Sequence, residues 1–220
     1  MTNRDDAVVD DFGDEWARFD QSGRTQEERE RIAGSYFAAL PWDLVPADAV
    51  AIDVGCGSGL IAAELAQHVA SIHAIDPEPW ERWSSLAASR PNLHFHVGSY
   101  RELSTRVAPG SIDVAICNQV YEHVDSAADL LAQLHLVLGA DGVCYFAGPN
   151  LLWPIEPHVH LPFVHWLPRR AVIGTLQAIG VARIGGLDAW SLDAWRLGRL
   201  FTRAGFVARL AFATRARCGR

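Results

Sequence analysis

Residues 49–60 read Ala-Val-Ala-Ile-Asp-Val-Gly-Cys-Gly-Ser-Gly-Leu, and this stretch decides the fold. Five of its first six residues are apolar, the exception being Asp53, which is typical of a buried β-strand. Residues 60–69 follow with helical spacing, and between the two segments a glycine stands at every second position: Gly55, Gly57 and Gly59. The pattern predicts a strand, a glycine turn and a helix, with unsatisfied backbone amides at the start of the helix.

The spacing of the glycines distinguishes between ligands. A dinucleotide-binding turn follows G-x-G-x-x-G, whereas this turn follows G-x-G-x-G, with Asp53 two residues before the first glycine. A carboxylate there repels a pyrophosphate and suits a cationic ligand. Asp76 follows a second predicted strand, residues 71–75, and precedes Pro77. An acid at that strand end can accept both hydroxyls of a ribose.

The segment from Asp53 to Gly59, together with Asp76, closely resembles the class I S-adenosylmethionine (SAM) methyltransferases. The resemblance runs from about residue 49 to residue 215. It implies an α/β fold: a Rossmann-like, doubly wound, mostly parallel sheet in a single domain, with N-terminal helices and a cap insertion after the fifth strand. It also implies SAM as the cofactor.

We therefore expect three regions in the chain. Residues 1–11 are acidic and without periodicity, and are predicted to be disordered. Residues 12–220 form the methyltransferase domain, in which residues 148–187, rich in proline and aromatic side chains, cap the acceptor pocket.

The remaining elements follow from apolar periodicity and from glycine and proline breaks. Further strands are predicted over residues 93–97, 111–117, 143–147 and 207–214, and further helices over residues 26–40, 81–90, 127–138 and 191–203. Residues 139–142 are predicted to form a turn. In the last helix, the side chains expected to face inward are Leu192, Trp195, Leu200 and Phe201.

The resemblance places cofactor contacts after the first four strands. The residues expected to bind SAM are Asp53, Gly55, Cys56, Gly57, Gly59, Asp76, Pro77, Ser99, Tyr100, Asn118 and Gln119. Related enzymes usually have an aspartate at the position of Ser99, where it binds the adenine amino group. A serine hydroxyl can make one such hydrogen bond.

Glu122 and His123 follow the fourth strand, where the family often has a Glu-His pair near the methyl donor. Methyl transfer requires a base only when the acceptor must lose a proton, as a hydroxyl does. Because histidine titrates near neutral pH, we predict His123 as the base and Glu122 as the residue that orients it or binds the acceptor. The alternative is a buried structural pair that caps a helix.

Aromatic and histidine side chains mark the predicted acceptor pocket. The residues expected to contact substrate are Trp16, Trp153, His158, His160 and His165. We predict no metal site, because the proline-rich spacing does not place two histidines on one helical face and no cysteine lies nearby.

The composition of the chain limits the classes of partner that we expect it to bind. The chain has 220 residues and a net charge of −7, which argues against nucleic-acid binding. None of the four cysteines forms a C-x-x-C pair, no signal peptide begins the chain, and no apolar run is long enough to span a bilayer. We therefore expect a cytoplasmic monomer or homodimer, without stable membrane insertion, that acts on a small molecule.

Three functions remain open. The first is methyl transfer from SAM to a small-molecule acceptor, at an oxygen of a lipophilic, aromatic or sugar-containing metabolite. The second is a catalytically inactive methyltransferase-fold protein that serves as a binding or partner subunit. The third is an NAD-dependent oxidoreductase on a similar sheet, which the glycine spacing disfavours.

Overall fold

The computed structural model describes residues 37–154 and 191–207, and the isolated positions 25, 27, 28, 31, 34, 162, 163, 166, 167, 174 and 178. A five-stranded sheet forms its centre, with the strand order β3-β2-β1-β4-β5 and every pair parallel. The strands are β1 (Val50–Val54), β2 (Ser71–Asp76), β3 (Leu93–Val97), β4 (Ile112–Asn118) and β5 (Leu138–Ala147). The helices are α1 (Leu60–Leu65), α2 (Arg82–Ser89), α3 (Leu103–Arg106), α4 (Ala127–Val137) and α5 (Ala194–Ala204).

Helices cover both faces of the sheet, as predicted. One core cluster joins β1 and β2 to α1 and includes Leu65 and Ile72, both fully buried. The other joins the opposite face to α3 and α4 and includes Leu103 and Leu130, also fully buried. A sheet covered on both faces needs nearly continuous apolar strands, which explains why β1 and β4 are so rich in Val, Ile and Ala.

Local signals explain where the helices begin and end. The Ser126 hydroxyl accepts the Asp129 N–H at 3.1 Å and caps α4. Asp193 caps α5 in the same way, by accepting the Arg196 N–H at 2.8 Å, and Gly205 ends that helix with a left-handed φ of 98°.

Several element boundaries differ from the prediction: α1 ends at Leu65 instead of residue 69, and α5 begins at Ala194 instead of residue 191, which leaves Leu192 outside the helix. The predicted turn at residues 139–142 lies instead within β5, which begins at Leu138 and changes register between its pairs with Ile112 and Val114. Glycine and aspartate favour turns locally, and residues 139–142 lie in the bulge between the pairs Ile112–Leu138 and Val114–Val143. Helix α3 and the single 3₁₀ turn before it, Tyr100–Glu102, lie where no helix was predicted.

The prediction that Trp195 faces inward was wrong, because its side chain is 69% exposed. It lies five residues before Leu200, or about 140° around the helix from the stripe that Leu200 and Phe201 form against the core. Of the predicted helix at residues 26–40, the described positions from 27 to 37 are helical. The predicted strand at residues 207–214 and the N-terminal 24 residues lie outside the described part.

Candidate cofactor site and active site

The parallel strands end at one edge of the sheet, and the predicted site residues lie along that edge. The glycine loop follows β1, Asp76 ends β2, and Asn118 ends β4. The strand order turns at β1, which pairs with β2 on one side and β4 on the other. A ligand crevice forms outside the carboxyl ends of strands at such a switch point.

The loop after β1 requires its glycines. Gly55, Gly57 and Gly59 have φ values of 71°, 49° and 79°, in the left-handed region that other residues rarely adopt. A Cβ on Gly55 would also lie 2.4 Å from Val120, and a Cβ on Gly59 would lie 2.5 Å from the ring of Phe95. The loop therefore packs against the segments after β4 and on β3 with no room for side chains.

Trp83 on α2 contacts the glycine loop, and the sequence analysis did not predict this contact. Its indole N–H donates to the Gly57 carbonyl at 2.9 Å, and its ring stacks on Phe95 with centroids 4.7 Å apart and planes 10° apart. Phe95 in turn contacts Gly59. The sequence carried no signal for this contact, because Trp83 lies 26 residues from Gly57.

Asp76, which was predicted to bind the ribose, is also hydrogen-bonded to the glycine loop. One of its oxygens, Oδ2, accepts the Gly57 N–H at 2.9 Å, and the other, Oδ1, accepts the Glu78 N–H at 3.0 Å. Burial raises the pKa of this carboxyl, while these two backbone hydrogen bonds lower it. Since each carboxylate oxygen can accept about two hydrogen bonds, acceptor capacity remains for a pair of hydroxyls.

Asp53 is the unusual group of the site. Its side chain is 3% exposed, and among the described residues Oδ2 has no hydrogen-bond partner. Burial, and then the charge of Asp76, raises the pKa of Asp53 from 3.8 to about 7. A buried carboxylate of this kind is stabilised by a cation, and SAM carries an ammonium and a sulfonium. The glycine cradle and this unpartnered oxygen therefore fit SAM.

The segment after β3 is more compact than predicted. The Ser99 hydroxyl accepts the Arg101 N–H at 3.3 Å and, with Glu102, forms a capping box at the 3₁₀ turn. Tyr100 is 6% exposed, and within the described part of the chain its hydroxyl has no hydrogen-bond partner. The contacts of Ser99 with adenine and of Tyr100 with the cofactor stay predictions. Cys56 and Pro77 are the sequence neighbours of Gly57 and Asp76, and their contacts with the cofactor stay predictions as well.

The segment after β4 turns sharply toward the site. Gln119 has a left-handed φ of 56°, and its N–H donates to the Ala147 carbonyl at 2.9 Å. This turn directs the next residues under the carboxyl end of β5. Asn118 and Gln119 therefore lie at the carboxyl end of β4, and their contact with the cofactor stays a prediction.

Glu122 and His123 are brought together as predicted. Glu122 is fully buried, His123 has a side-chain exposure of 15%, and Glu122 Oε1 lies 3.8 Å from His123 Nε2. A Cβ on Gly148 would lie 3.2 Å from the Glu122 carboxylate, so the chain after β5 passes directly over the pair. A carboxylate at this distance stabilises a protonated imidazole.

The predicted acceptor residues are only partly described. Trp153 follows β5 and is 64% exposed, whereas Trp16, His158, His160 and His165 lie outside the described residues. Trp166 donates its indole N–H to the Leu151 carbonyl at 2.6 Å, and its ring lies 4.9 Å from that of Phe163. The described positions of the cap thus form an aromatic surface next to the end of β5.

The described residues contain neither a candidate metal site nor a candidate membrane-spanning helix. Over that part of the chain, no group of three or more His, Cys, Asp or Glu side chains could hold a metal ion. No helix there is long and apolar enough to cross a membrane.

This sheet order, with a glycine loop and two acids at the switch point, defines a nucleotide-binding α/β protein. Residues 52–146 match the family described as a methyltransferase domain. A ubiquinone biosynthesis O-methyltransferase of Pseudomonas paraeruginosa is 30% identical over 156 residues, which are 65% of this chain and 62% of that protein. Residues 52–146 thus match a methyltransferase domain, and the glycine loop and Asp53 within that range support a class I SAM-dependent methyltransferase.

Solved structures agree on the fold. A SAM-dependent methyltransferase of Thermotoga maritima, described as a possible histamine N-methyltransferase, aligns with a TM-score of 0.58 at 18% identity over 92% of this chain and 81% of that one. A geranyl diphosphate methyltransferase in complex with SAM aligns with a TM-score of 0.57 at 15% identity, over 80% and 64%. The chain spans 40% to 62% of the length of the curated relatives it matches.

Proposed function

We propose that the protein transfers a methyl group from SAM to a hydroxyl of a small, largely apolar or aromatic molecule. The observation that carries the proposal is the contact between the buried Glu122 carboxylate and His123, in the segment after β4 whose Val120 packs against Gly55 of the glycine loop. A sulfonium donor needs no acid catalyst, whereas a hydroxyl acceptor needs a base. The ubiquinone biosynthesis relatives are named as O-methyltransferases, which supports oxygen as the acceptor atom.

In the proposed reaction, different residues bind the cofactor, accept the proton and enclose the acceptor. The glycine loop and Asp53 bind the charged end of SAM, and Asp76 binds the ribose. His123 accepts the hydroxyl proton as the oxygen attacks, and Glu122 stabilises the resulting imidazolium. The aromatic cap, with Trp153 at its start, excludes water and favours an apolar acceptor. Cytoplasmic location and a monomeric or homodimeric state remain part of the proposal.

Calorimetry tests the cofactor first. The full chain is titrated with SAM, S-adenosylhomocysteine and NADH, and we expect micromolar binding of the first two and none of the third. Asp76→Asn should weaken binding at least tenfold, because it loses a charged acceptor for the ribose. The control is Asp141→Asn, an exposed residue on β5 that lies away from the carboxyl edge. Tight NADH binding would instead support an oxidoreductase.

Methyl transfer from labelled SAM to a panel of catechols, simple phenols and primary amines then tests the acceptor. We expect methylation of a phenolic oxygen, and a loss of kcat of at least a hundredfold in His123→Ala. The matched control is His94→Ala, which removes an exposed histidine on β3. Methylation of amines alone would contradict the choice of oxygen. SAM binding without turnover on any acceptor would favour a non-catalytic partner subunit.

A further inference from the structure

The insertion after β5 leaves and re-enters the domain at one place. Asn150 forms a parallel β-bridge with Leu192, and the Leu151 N–H donates to the Leu192 carbonyl at 3.1 Å. We call residues 149–151 and 191–192 the neck. Within the described part of the chain, this contact joins the segment that follows β5 to the segment that precedes α5.

One oxygen atom joins both sides of the neck. The Tyr121 hydroxyl donates to the Pro149 carbonyl and accepts the Leu192 N–H at 3.1 Å. Burial raises the pKa of this phenol further above its usual value, so the hydroxyl keeps its proton and remains a donor. The Pro149 carbonyl and the Leu192 N–H therefore both bond to the same side chain.

The ring of Tyr121 has little freedom to move. The residue is 2% exposed, and its ring stacks on Phe146 of β5 with centroids 5.7 Å apart. A Cβ on Gly148 would lie 2.3 Å from the Tyr121 ring, so the backbone after β5 is seated directly on it. The hydroxyl is therefore held at a fixed distance from the sheet.

Tyr121 also immediately precedes the Glu122–His123 pair. We propose that Tyr121 is a positioning residue whose hydroxyl fixes the two sides of the neck relative to Glu122 and His123. The catalytic consequence rests on the function proposed above. The geometric part, in which one hydroxyl holds the two sides of the neck, stands on contacts of the apo protein and can be tested without any substrate.

The test substitutes Tyr121→Phe in the full chain, which keeps the ring and removes the hydroxyl alone. Phe201→Leu is the matched control, because Phe201 packs edge-on against Phe146, with centroids 5.0 Å apart, but makes no contact with the neck hydrogen bonds. Amide hydrogen exchange is followed by mass spectrometry on both variants. We expect exchange to rise about tenfold in peptides covering residues 149–154 and 191–193 of Tyr121→Phe, with α4 unchanged.

Exchange at the neck like that of the wild type would overturn the proposal. An equal rise in neck exchange in Phe201→Leu would also overturn it, because it would show a general loss of stability instead of a specific effect of the Tyr121 hydroxyl. Should Tyr121→Phe fail to fold, Gly148→Ala perturbs the packing of the chain after β5 against the Tyr121 ring. The added methyl collides with the ring and should raise neck exchange in the same peptides.

Kinetics separate positioning from stability. With whichever phenol the wild type methylates, Tyr121→Phe should raise the acceptor KM about tenfold and lower kcat severalfold, while the Kd of S-adenosylhomocysteine stays within twofold. Phe201→Leu should leave the acceptor KM unchanged below its melting temperature. An unchanged acceptor KM in Tyr121→Phe would refute the coupling to the active site. Failure of the wild type to bind S-adenosylhomocysteine would refute the proposed function. The exchange data would still show whether the Tyr121 hydroxyl holds the two sides of the neck.

Discussion

Replacing Asp53 with asparagine should make the protein more stable and a poorer binder of SAM. The carboxyl has a pKa of 3.8 in an unfolded chain and about 7 in the fold, because burial and Asp76 disfavour its charge. Between these values the folded protein keeps a proton that the unfolded chain has released. The free energy of unfolding therefore falls as the pH rises through this range.

The two pKa values of Asp53 differ by about 3 pH units at about 1.4 kcal/mol each, so the ionised side chain costs the fold about 4 kcal/mol above pH 7. Asparagine has a similar shape and avoids this cost, although its buried amide leaves donors unsatisfied at about 1–2 kcal/mol. The net gain should be about 2 kcal/mol at pH 8.5, or about 4–8 °C in melting temperature.

Urea unfolding of the wild type and Asp53→Asn between pH 5 and pH 8.5 measures this difference. The stability advantage of the variant should grow with pH and level off above about pH 7, while Asp141→Asn, at an exposed position, should follow the wild type. In parallel, SAM should bind the wild type about tenfold more weakly for each pH unit below 7, and this dependence should vanish in Asp53→Asn. A variant that is less stable than the wild type at pH 8.5 would refute the reasoning.

Two further predictions concern the glycine loop. Trp83→Phe keeps an aromatic ring in place but leaves the buried Gly57 carbonyl without its indole donor, so the free energy of unfolding should fall by about 1–2 kcal/mol and SAM should bind severalfold more weakly, as measured by denaturant titration and calorimetry. Gly59→Ala combines a strained φ of 79° with a collision at 2.5 Å and should abolish measurable SAM binding. Gly198→Ala, a helical position with nothing within 4 Å of the added methyl, should instead raise stability by about 0.5–1 kcal/mol; SAM binding by Gly59→Ala like that of the wild type would contradict the role given to the loop.

Much of the fold could be predicted because its signals are local. The apolar run into Asp53 and the alternating glycines are confined to a dozen residues, and they predicted β1, its turn and α1. The same argument placed Asp76 at the end of β2, where its carboxylate meets the loop. Parallel strands then brought Glu122 and His123 to the same edge, because strand direction alone determines which end of each strand faces the crevice.

The rest depended on contacts between distant segments. No pattern in residues 139–142 shows that they lie within a strand, at the register shift between the β4 partners of Leu138 and Val143, since the partner strand decides it. The support that Trp83 gives to Gly57 and the link from Tyr121 to Leu192 each join residues at least 26 positions apart. Likewise the high pKa of Asp53 follows from burial beside a second acid, which only the packed fold creates.

The neck also bears on how such a domain acquires new substrates. Because Asn150 and Leu192 are paired neighbours, the two ends of the intervening segment meet, and a replacement of any length can start and finish there without displacing a strand. In the function proposed above, recognition of the acceptor would then be a module that can be exchanged by recombination, while the cofactor half, built on β1 and β2, stays intact. A loop graft from a relative with another specificity, joined at these two residues, is the natural engineering route for this chain.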